Sequence, residues 1–287
     1  MIPIYCSISE NELDELFGLL IPSLLKQTVK EKIHLILVHY KNDELIFKKR
    51  VQYPCLQITE IRNTRGSLGF GEAINYLYEQ CTPDKFFIIS NTGFYAKEAI
   101  GCLVNKFKSS VGIIDARQLP YSHPKQYSQS DLSTNWASGA CCLVNSAMFQ
   151  KVGGFDKNFW MYLEDVDLSW RSWLNNYSVL HAVDACFYHY TGIHFKYRPD
   201  RLYLEDYWSM RNFYYLLYKF WGLKGERIAR DLVQKTGYPL EMKDRTYRSY
   251  LRLKETLEQK DMLFNESPNK IKSNERIRVY GYNIFSQ

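Results

Sequence analysis

The first two-fifths of the chain alternates short apolar runs with helical repeats. Ile2 to Ile8 is one run. Ile33-His34-Leu35-Ile36-Leu37-Val38 is another, continuous enough for a strand buried on both faces. Between them, Asn11 to Gln27 carries Leu13, Leu16, Phe17, Leu20 and Leu24 at helical spacing, which predicts one helix. Leu56 to Ile61 alternates and reads as a third strand. Phe86-Phe87-Ile88-Ile89 and Val111-Gly112-Ile113-Ile114 read as the fourth and fifth. A glycine-rich turn, Gly66 to Gly71, leads into a helix from about Glu72 to Gln80. This alternation predicts an α/β domain with a mostly parallel sheet flanked by helices, and ligands beyond the carboxyl ends of its strands.

The middle of the chain changes character. Gln118 to Trp136 is polar and contains proline, and reads as a long loop of the functional kind. A strand over Ala140 to Val144, a helix over Ser146 to Val152 and the turn Gly153-Gly154-Phe155-Asp156 follow. In the next helix, Leu163, Val166, Trp170, Trp173 and Leu174 form one apolar stripe. Asp165 falls opposite that stripe, free to face a cleft. Glu164, Asp167 and Arg171 share an intermediate face where i,i+3 and i,i+4 pairs form. From about Leu202 the chain turns helical and aromatic, and a basic amphipathic stretch runs from Asp244 to Lys260.

Composition narrows the class. The 287 residues are 46% hydrophobic and 16% aromatic, which excludes global disorder. The net charge is +6, and 14 Lys+Arg against 9 Asp+Glu place +5 of it in residues 222–287. Basic charge with Trp and Tyr suits contact with an anionic membrane surface through 203–287, while the plainer reading is core packing for most of Tyr203 to Trp221 and a solvated helical face for the basic tail. No nucleic-acid motif accompanies it, so no nucleic-acid partner is expected. The seven cysteines are odd in number and lack metal-ligand spacing, as for reduced thiols in the cytoplasm. No signal peptide is read at Met1, and no apolar run reaches ~18 residues, so a bilayer span is not expected.

Three groups carry candidate chemistry. Gly69-Phe70-Gly71 stands between strand and helix, where backbone N–H groups approach a phosphate, although Ile74 at the third position excludes a dinucleotide fingerprint. Glu164-Asp165-Val166-Asp167 puts three acids in one helical turn, more than the helix dipole needs and suited to a general base. His189 follows the apolar strand Ala185 to Tyr188 and gains meaning only beside those acids.

Together these residues resemble the family 2 glycosyltransferases of the GT-A fold, especially the bacterial rhamnosyltransferase-like, surface-polysaccharide branch. The resemblance is densest from Trp136-Ala137-Ser138-Gly139-Ala140 through Val152-Gly153-Gly154-Phe155-Asp156 and Leu163-Glu164-Asp165-Val166-Asp167-Leu168 to His189. Gly69 to Asn75 and Arg211-Asn212 resemble two further family segments. The likeness covers about residues 1–221. It implies a Rossmann-like GT-A domain whose nucleotide-sugar half is 1–117 and acceptor half 118–221, with a basic helical extension over 222–287. It also implies inverting transfer from a nucleotide-sugar to a glycan or lipid-linked acceptor at the inner face of the cell membrane. Asp165 then serves as base, with Glu164 and Asp167 positioning it. Gly69, Gly71, Asn91, Asp115, Arg117, Arg171 and His189 fall to the donor side. Trp136, Ser138, Gly139 and Trp160 fall to the acceptor.

The same resemblance implies a divalent metal, Mg²⁺ or Mn²⁺, at the diphosphate. Here the chain departs from the pattern. The family's terminal carboxylate after the fourth strand is Gly93 in Ser90-Asn91-Thr92-Gly93, which leaves Asn91 and His189 as metal-ligand candidates. His39-Tyr40-Lys41-Asn42-Asp43 stands where the family has an acid near the base, and Ser67 where it often has Asn. Two readings follow. One is an active enzyme that stabilises the leaving group with His189, Arg171, Lys125 or Arg117. The other is a degenerate homologue that binds a nucleotide or partner without catalysis.

Overall fold

The computed structural model describes residues 1–40, 44–47, 51–120, 122, 125–189 and 199–263, with 199–202 as backbone only. Lys41 to Asp43, named above, residues 123–124 of the Gln118 to Trp136 stretch, and residues 264–287 of the extension lie outside the described residues.

Nine strands form one sheet: β1 (Ile2–Ile8), β2 (Ile33–His39), β3 (Val51–Gln52), β4 (Leu56–Ile61), β5 (Phe86–Ser90), β6 (Phe94–Tyr95), β7 (Val111–Leu119), β8 (Cys141–Asn145) and β9 (Ser178–Tyr188). Their order is β3-β4-β2-β1-β5-β8-β7-β9-β6. β4, β2, β1 and β5 run parallel, and β8 enters antiparallel between β5 and β7. The start of β8 therefore lies beside the carboxyl ends of β5 and β7.

The helices are α1 (Phe70–Gln80), α2 (Ala99–Asn105), α3 (Ser146–Val152), α4 (Glu164–Leu174), α5 (Pro199–Gln234) and α6 (Leu240–Lys254). A non-helical Gly222 (φ 56°, ψ −143°) interrupts α5. Apolar side chains of the central strands alternate between two clusters. Ile4, Cys6, Leu35, Leu37 and Ile88 face one, and Tyr5, Ile36, Val38, Phe87 and Ile89 face the other. A third cluster joins Val166 and Trp170 of α4 to Phe213, Leu216, Phe220 and Val233 of α5 and to Tyr250 of α6. Residues 222–263 are thus packed into the same core as the aromatic helix before them.

Two expectations are corrected. Asn11 to Gln27 is not one helix: a 3-10 turn (Glu10–Glu12), a single α-turn (Leu13–Glu15), a π segment (Leu16–Leu20) and a short α-helix (Ile21–Leu25) follow one another. Pro22 has no N–H to bond back to Gly18, and the π segment absorbs the mismatch. Nor does Gln118 begin the loop. β7 runs on to Leu119, because Arg117, Gln118 and Leu119 pair with Cys186, Phe187 and Tyr188 of β9. Among the described residues no helix is long and apolar enough to cross a membrane.

Candidate active site

Three consecutive backbone N–H groups between Trp136 and Ala140 are each tied to a side chain. Ala137 N–H donates to Ser169 Oγ at 3.0 Å, Ser138 N–H to Asp115 Oδ2 at 2.9 Å, and Gly139 N–H to Asp165 Oδ2 at 2.9 Å. The Ala140 carbonyl accepts the Asn91 N–H at 2.8 Å, which closes the segment against the end of β5. One short stretch of backbone thereby fixes two acids from distant parts of the chain.

Asp165 sits in the first turn of α4, half-buried, with Oδ1 accepting the Val166 N–H at 2.8 Å. Burial pushes its carboxyl above the ordinary value, although the Gly139 and Val166 N–H groups and Lys125 pull the other way. A carboxylate so raised is a stronger base nearer neutral pH. Glu164 is buried, and its Oε2 has no hydrogen-bond partner. Burial, and then the charges of Asp165 and Asp167, push Glu164 well above the carboxylate range. Both acids are thus pushed toward the protonated form, Glu164 the more strongly, since neighbouring acids in unlike environments titrate apart.

The face shared by Glu164, Asp167 and Arg171 is not open, because α5 covers it. Asp167 is fully buried, with Arg171 at 2.6 Å and Lys219 of α5 also at 2.6 Å. Arg171 further donates to the carbonyls of Val152 at 2.8 Å and Gly154 at 2.7 Å. Lys219 also reaches Asp156 at 2.7 Å, and it outweighs burial to hold that carboxyl below its ordinary value. Arg171 and Asp167 thus lock the Gly153 to Asp156 turn onto α4.

The lead-in to α4 is strained. Tyr162 (φ 70°) and Leu163 (φ 66°) both take left-handed conformations that bulky residues avoid. Asn212 of α5, fully buried, donates through Nδ2 to the carbonyls of Met161 at 2.8 Å and Tyr162 at 2.7 Å. Arg211 donates to the Asn158 carbonyl at 2.6 Å and to Asn212 Oδ1. This pair holds the turn that aims Asp165.

The carboxyl end of β7 lines a narrow crevice with Asp115, Arg117 and Gln118, joined by Lys125 and His181. Asp115 pairs with Lys125 and hydrogen-bonds His181 Nδ1 at 2.8 Å. Burial disfavours its charge, but Lys125 and His181 prevail and hold it below the ordinary value. Lys125 Nζ lies 4.1 Å from the Trp136 ring centroid, a cation–π contact. Gln118 Nε2 donates to Ser138 Oγ at 2.6 Å, and Gln118 Oε1 lies 3.3 Å from His189 Nδ1. His189 Nε2 lies 3.4 Å from Asn91 Nδ2. A polar chain thus runs Asp115, Ser138, Gln118, His189, Asn91.

Gly69 and Gly71 meet the opposite half of the chain. A Cβ on Gly69 would stand 2.3 Å from the Trp160 carbonyl oxygen, and one on Gly71 would stand 2.7 Å from Phe155 Cβ. Phe70 N–H donates to that Trp160 carbonyl at 3.0 Å. Asn75 clamps Phe155 from both sides, its Nδ2 donating to the carbonyl at 2.8 Å and its Oδ1 accepting the N–H at 2.9 Å. Trp160 is half-buried, with its ring 6.5 Å from that of Trp208.

Of the residues singled out from sequence, Asp165, Asp115, Ser138, Gly139, Asn91, His189, Arg117 and Trp136 converge on this strand-end network. Gly69, Gly71 and Trp160 form an adjoining seam. Arg171 and Asp167 belong to the α4–α5 interlock instead. His181, Lys219 and Ser169 escape sequence reasoning, since an isolated His in a strand or a Lys in an aromatic helix carries no motif. Asn75 and Asn212 stand inside the family-like segments, but nothing in the sequence gives them a role.

No protein-family model matches the chain. N-acetylglucosaminyl-diphospho-decaprenol L-rhamnosyltransferase of Mycobacterium tuberculosis is 46% identical over 52 residues, 17% of this chain and 17% of its own length. Rhamnosyltransferase WbbL of Escherichia coli K12 is 36% identical over 78 residues, 27% of this chain and 28% of its own. The match thus spans less than a third of either relative. Among solved structures, the mannosyltransferase PcManGT of Pyrobaculum calidifontis, in complex with GDP-Man and Mn²⁺, superposes with a TM-score of 0.57 at 10% identity, covering 96% of this chain and 74% of that one. S. aureus TarS 1–349 in complex with UDP-GlcNAc gives 0.50 at 13% identity, covering 88% and 72%. The chain has the GT-A glycosyltransferase fold. Its sequence is in part homologous to bacterial rhamnosyltransferases.

Proposed function

We propose that the chain is a rhamnosyltransferase-like enzyme, moving a sugar from a nucleotide-sugar to a hydroxyl of a glycan or lipid-linked glycan, with inversion. The observation that carries this reading is Asp165, a half-buried carboxyl in the first turn of α4 whose Oδ2 accepts the Gly139 N–H. In the proposed step the acceptor O–H gives its proton to Asp165. The acceptor oxygen forms a bond to the anomeric carbon, and the bond from that carbon to the phosphate oxygen breaks. The electron pair leaves with the nucleoside diphosphate. A single displacement of this kind inverts the anomeric centre, and a positioned base contributes ~10²–10⁴-fold. Glu164, pushed further toward its protonated form, leaves the proton-accepting role to Asp165, while Asp167, Arg171 and Asn212 hold its helix and turn.

The partial likeness to two rhamnosyltransferases supports the transfer class and makes a polyprenyl-diphosphate-linked glycan the first acceptor to try. The test is transfer from dTDP-rhamnose, UDP-GlcNAc and GDP-mannose to such an acceptor, followed by mass spectrometry and by NMR of the new linkage. An inverted product from one donor is expected. Retention would refute the single displacement. The second reading, a degenerate homologue, is favoured by Gly93, where the family's carboxylate is missing; donor binding without turnover on any acceptor would establish it.

A further inference from the structure

Where the family resemblance implies a divalent ion at the diphosphate, the residues here do not fit one. The missing carboxylate cannot be restored at its own position. A Cβ on Gly93 would stand 2.5 Å from Phe187 Cζ and 2.6 Å from the Tyr188 carbonyl oxygen, so β9 itself fills that space. Asn91 and His189 offer only an amide and an imidazole, and they face each other at 3.4 Å. Hard cations such as Mg²⁺ want carboxylate oxygens. The acid in the crevice at this strand end, Asp115, is taken up by Lys125, His181 and the Ser138 N–H. Among the described residues no group of three or more His, Cys, Asp or Glu side chains is arranged to hold a metal.

The same crevice does present a cation. Arg117 is exposed at the carboxyl end of β7, in the lining shared with Asp115 and Lys125. Its guanidinium makes no hydrogen bond or ion pair with any described residue. Asp115, the acid in that lining, is already paired with Lys125. An arginine left open beside a satisfied ion pair suits a phosphate, which its planar fork binds bidentately.

We propose that this protein binds the diphosphate of its donor without a divalent ion, with Arg117 as the cation that contacts it. The proposal rests on the glycosyltransferase reading above and deepens it. Calorimetry on the full chain, with dTDP, UDP and GDP as probes, in EDTA and again with Mn²⁺, tests it. The nucleotide that binds is expected to bind within about twofold in both conditions. Arg117→Ala is expected to weaken it by ~10-fold or more, as for loss of a charge-assisted contact, while leaving affinity for the bare nucleoside unchanged. A thermal melt checks that the variant is folded. Binding that strengthens by ~10-fold or more with Mn²⁺, or an Arg117→Ala protein that binds like wild type, overturns the proposal and leaves the transferase reading standing. Failure of all three nucleotides in both conditions overturns both. Gly93→Asp supplies an independent check: it is expected to lower the melting temperature and gain no Mn²⁺ dependence, and a gain of Mn²⁺-dependent binding would show that the position is open after all.

Discussion

The backbone N–H of Gly139 donates to Asp165 Oδ2 at 2.9 Å, across 26 residues of sequence. A Cβ at residue 139 would come within 3.2 Å of Phe70 Cε1 and 3.4 Å of Asp165 Cβ. Gly139→Ala therefore presses on both the base and the seam between the two halves. Turnover is expected to fall about tenfold, because small displacements of a reacting group are costly. Stability should fall by about 1 kcal/mol from overpacking. Steady-state kinetics and a denaturant melt check this, and an alanine variant with wild-type turnover would show that the contact does not orient Asp165.

Asn212 makes a second prediction. It satisfies two carbonyls in a turn whose residues Tyr162 and Leu163 are left-handed. Asn212→Ala leaves those carbonyls buried or forces the turn to relax, at a cost of about 1–3 kcal/mol. Since that turn aims Asp165, kcat should drop further than at Gly139→Ala while nucleotide affinity by calorimetry stays near wild type. Loss of nucleotide affinity in step with kcat would indicate general collapse instead.

Glu164 predicts a pH dependence of stability. Its folded carboxyl is raised by burial and by the neighbouring acids. Stability from the protonated form is fully present below the unfolded value of about 4.3 and is lost as pH rises through the raised folded value. Glu164→Gln cannot ionise. Its melting temperature relative to wild type should therefore climb as pH rises from the acid side. A difference that stays constant with pH would mean that Glu164 titrates normally.

Much of this architecture could be read from the chain, and the failures have physical causes. β1, β2 and β5 were legible because their apolar runs are buried on both faces and little else produces such runs, and β4 because its residues alternate, as its half-buried face requires. The end of β7 was not, because Asp115, Arg117 and Gln118 fill inward and crevice positions with a polar network, and polarity reads as loop. Asp165 was legible from helical phase alone, as the position opposite the apolar stripe. The Asp167–Arg171 pair at i,i+4 followed from the same phase, but phase cannot show that α5 brings Lys219 to cover that face. His181 was invisible, since its partner Asp115 lies 66 residues away and only sheet register brings them together.

The base itself is open to one direct measurement. Asp165→Asn keeps an oxygen that can accept the Gly139 N–H, so fold and nucleotide binding should survive. Transfer, measured with a donor and acceptor pair that the wild type uses, should fall by ~10²–10⁴-fold. A folded, nucleotide-binding Asp165→Asn variant that transfers sugar within a few-fold of the wild-type rate would contradict the assignment of Asp165 as the proton acceptor.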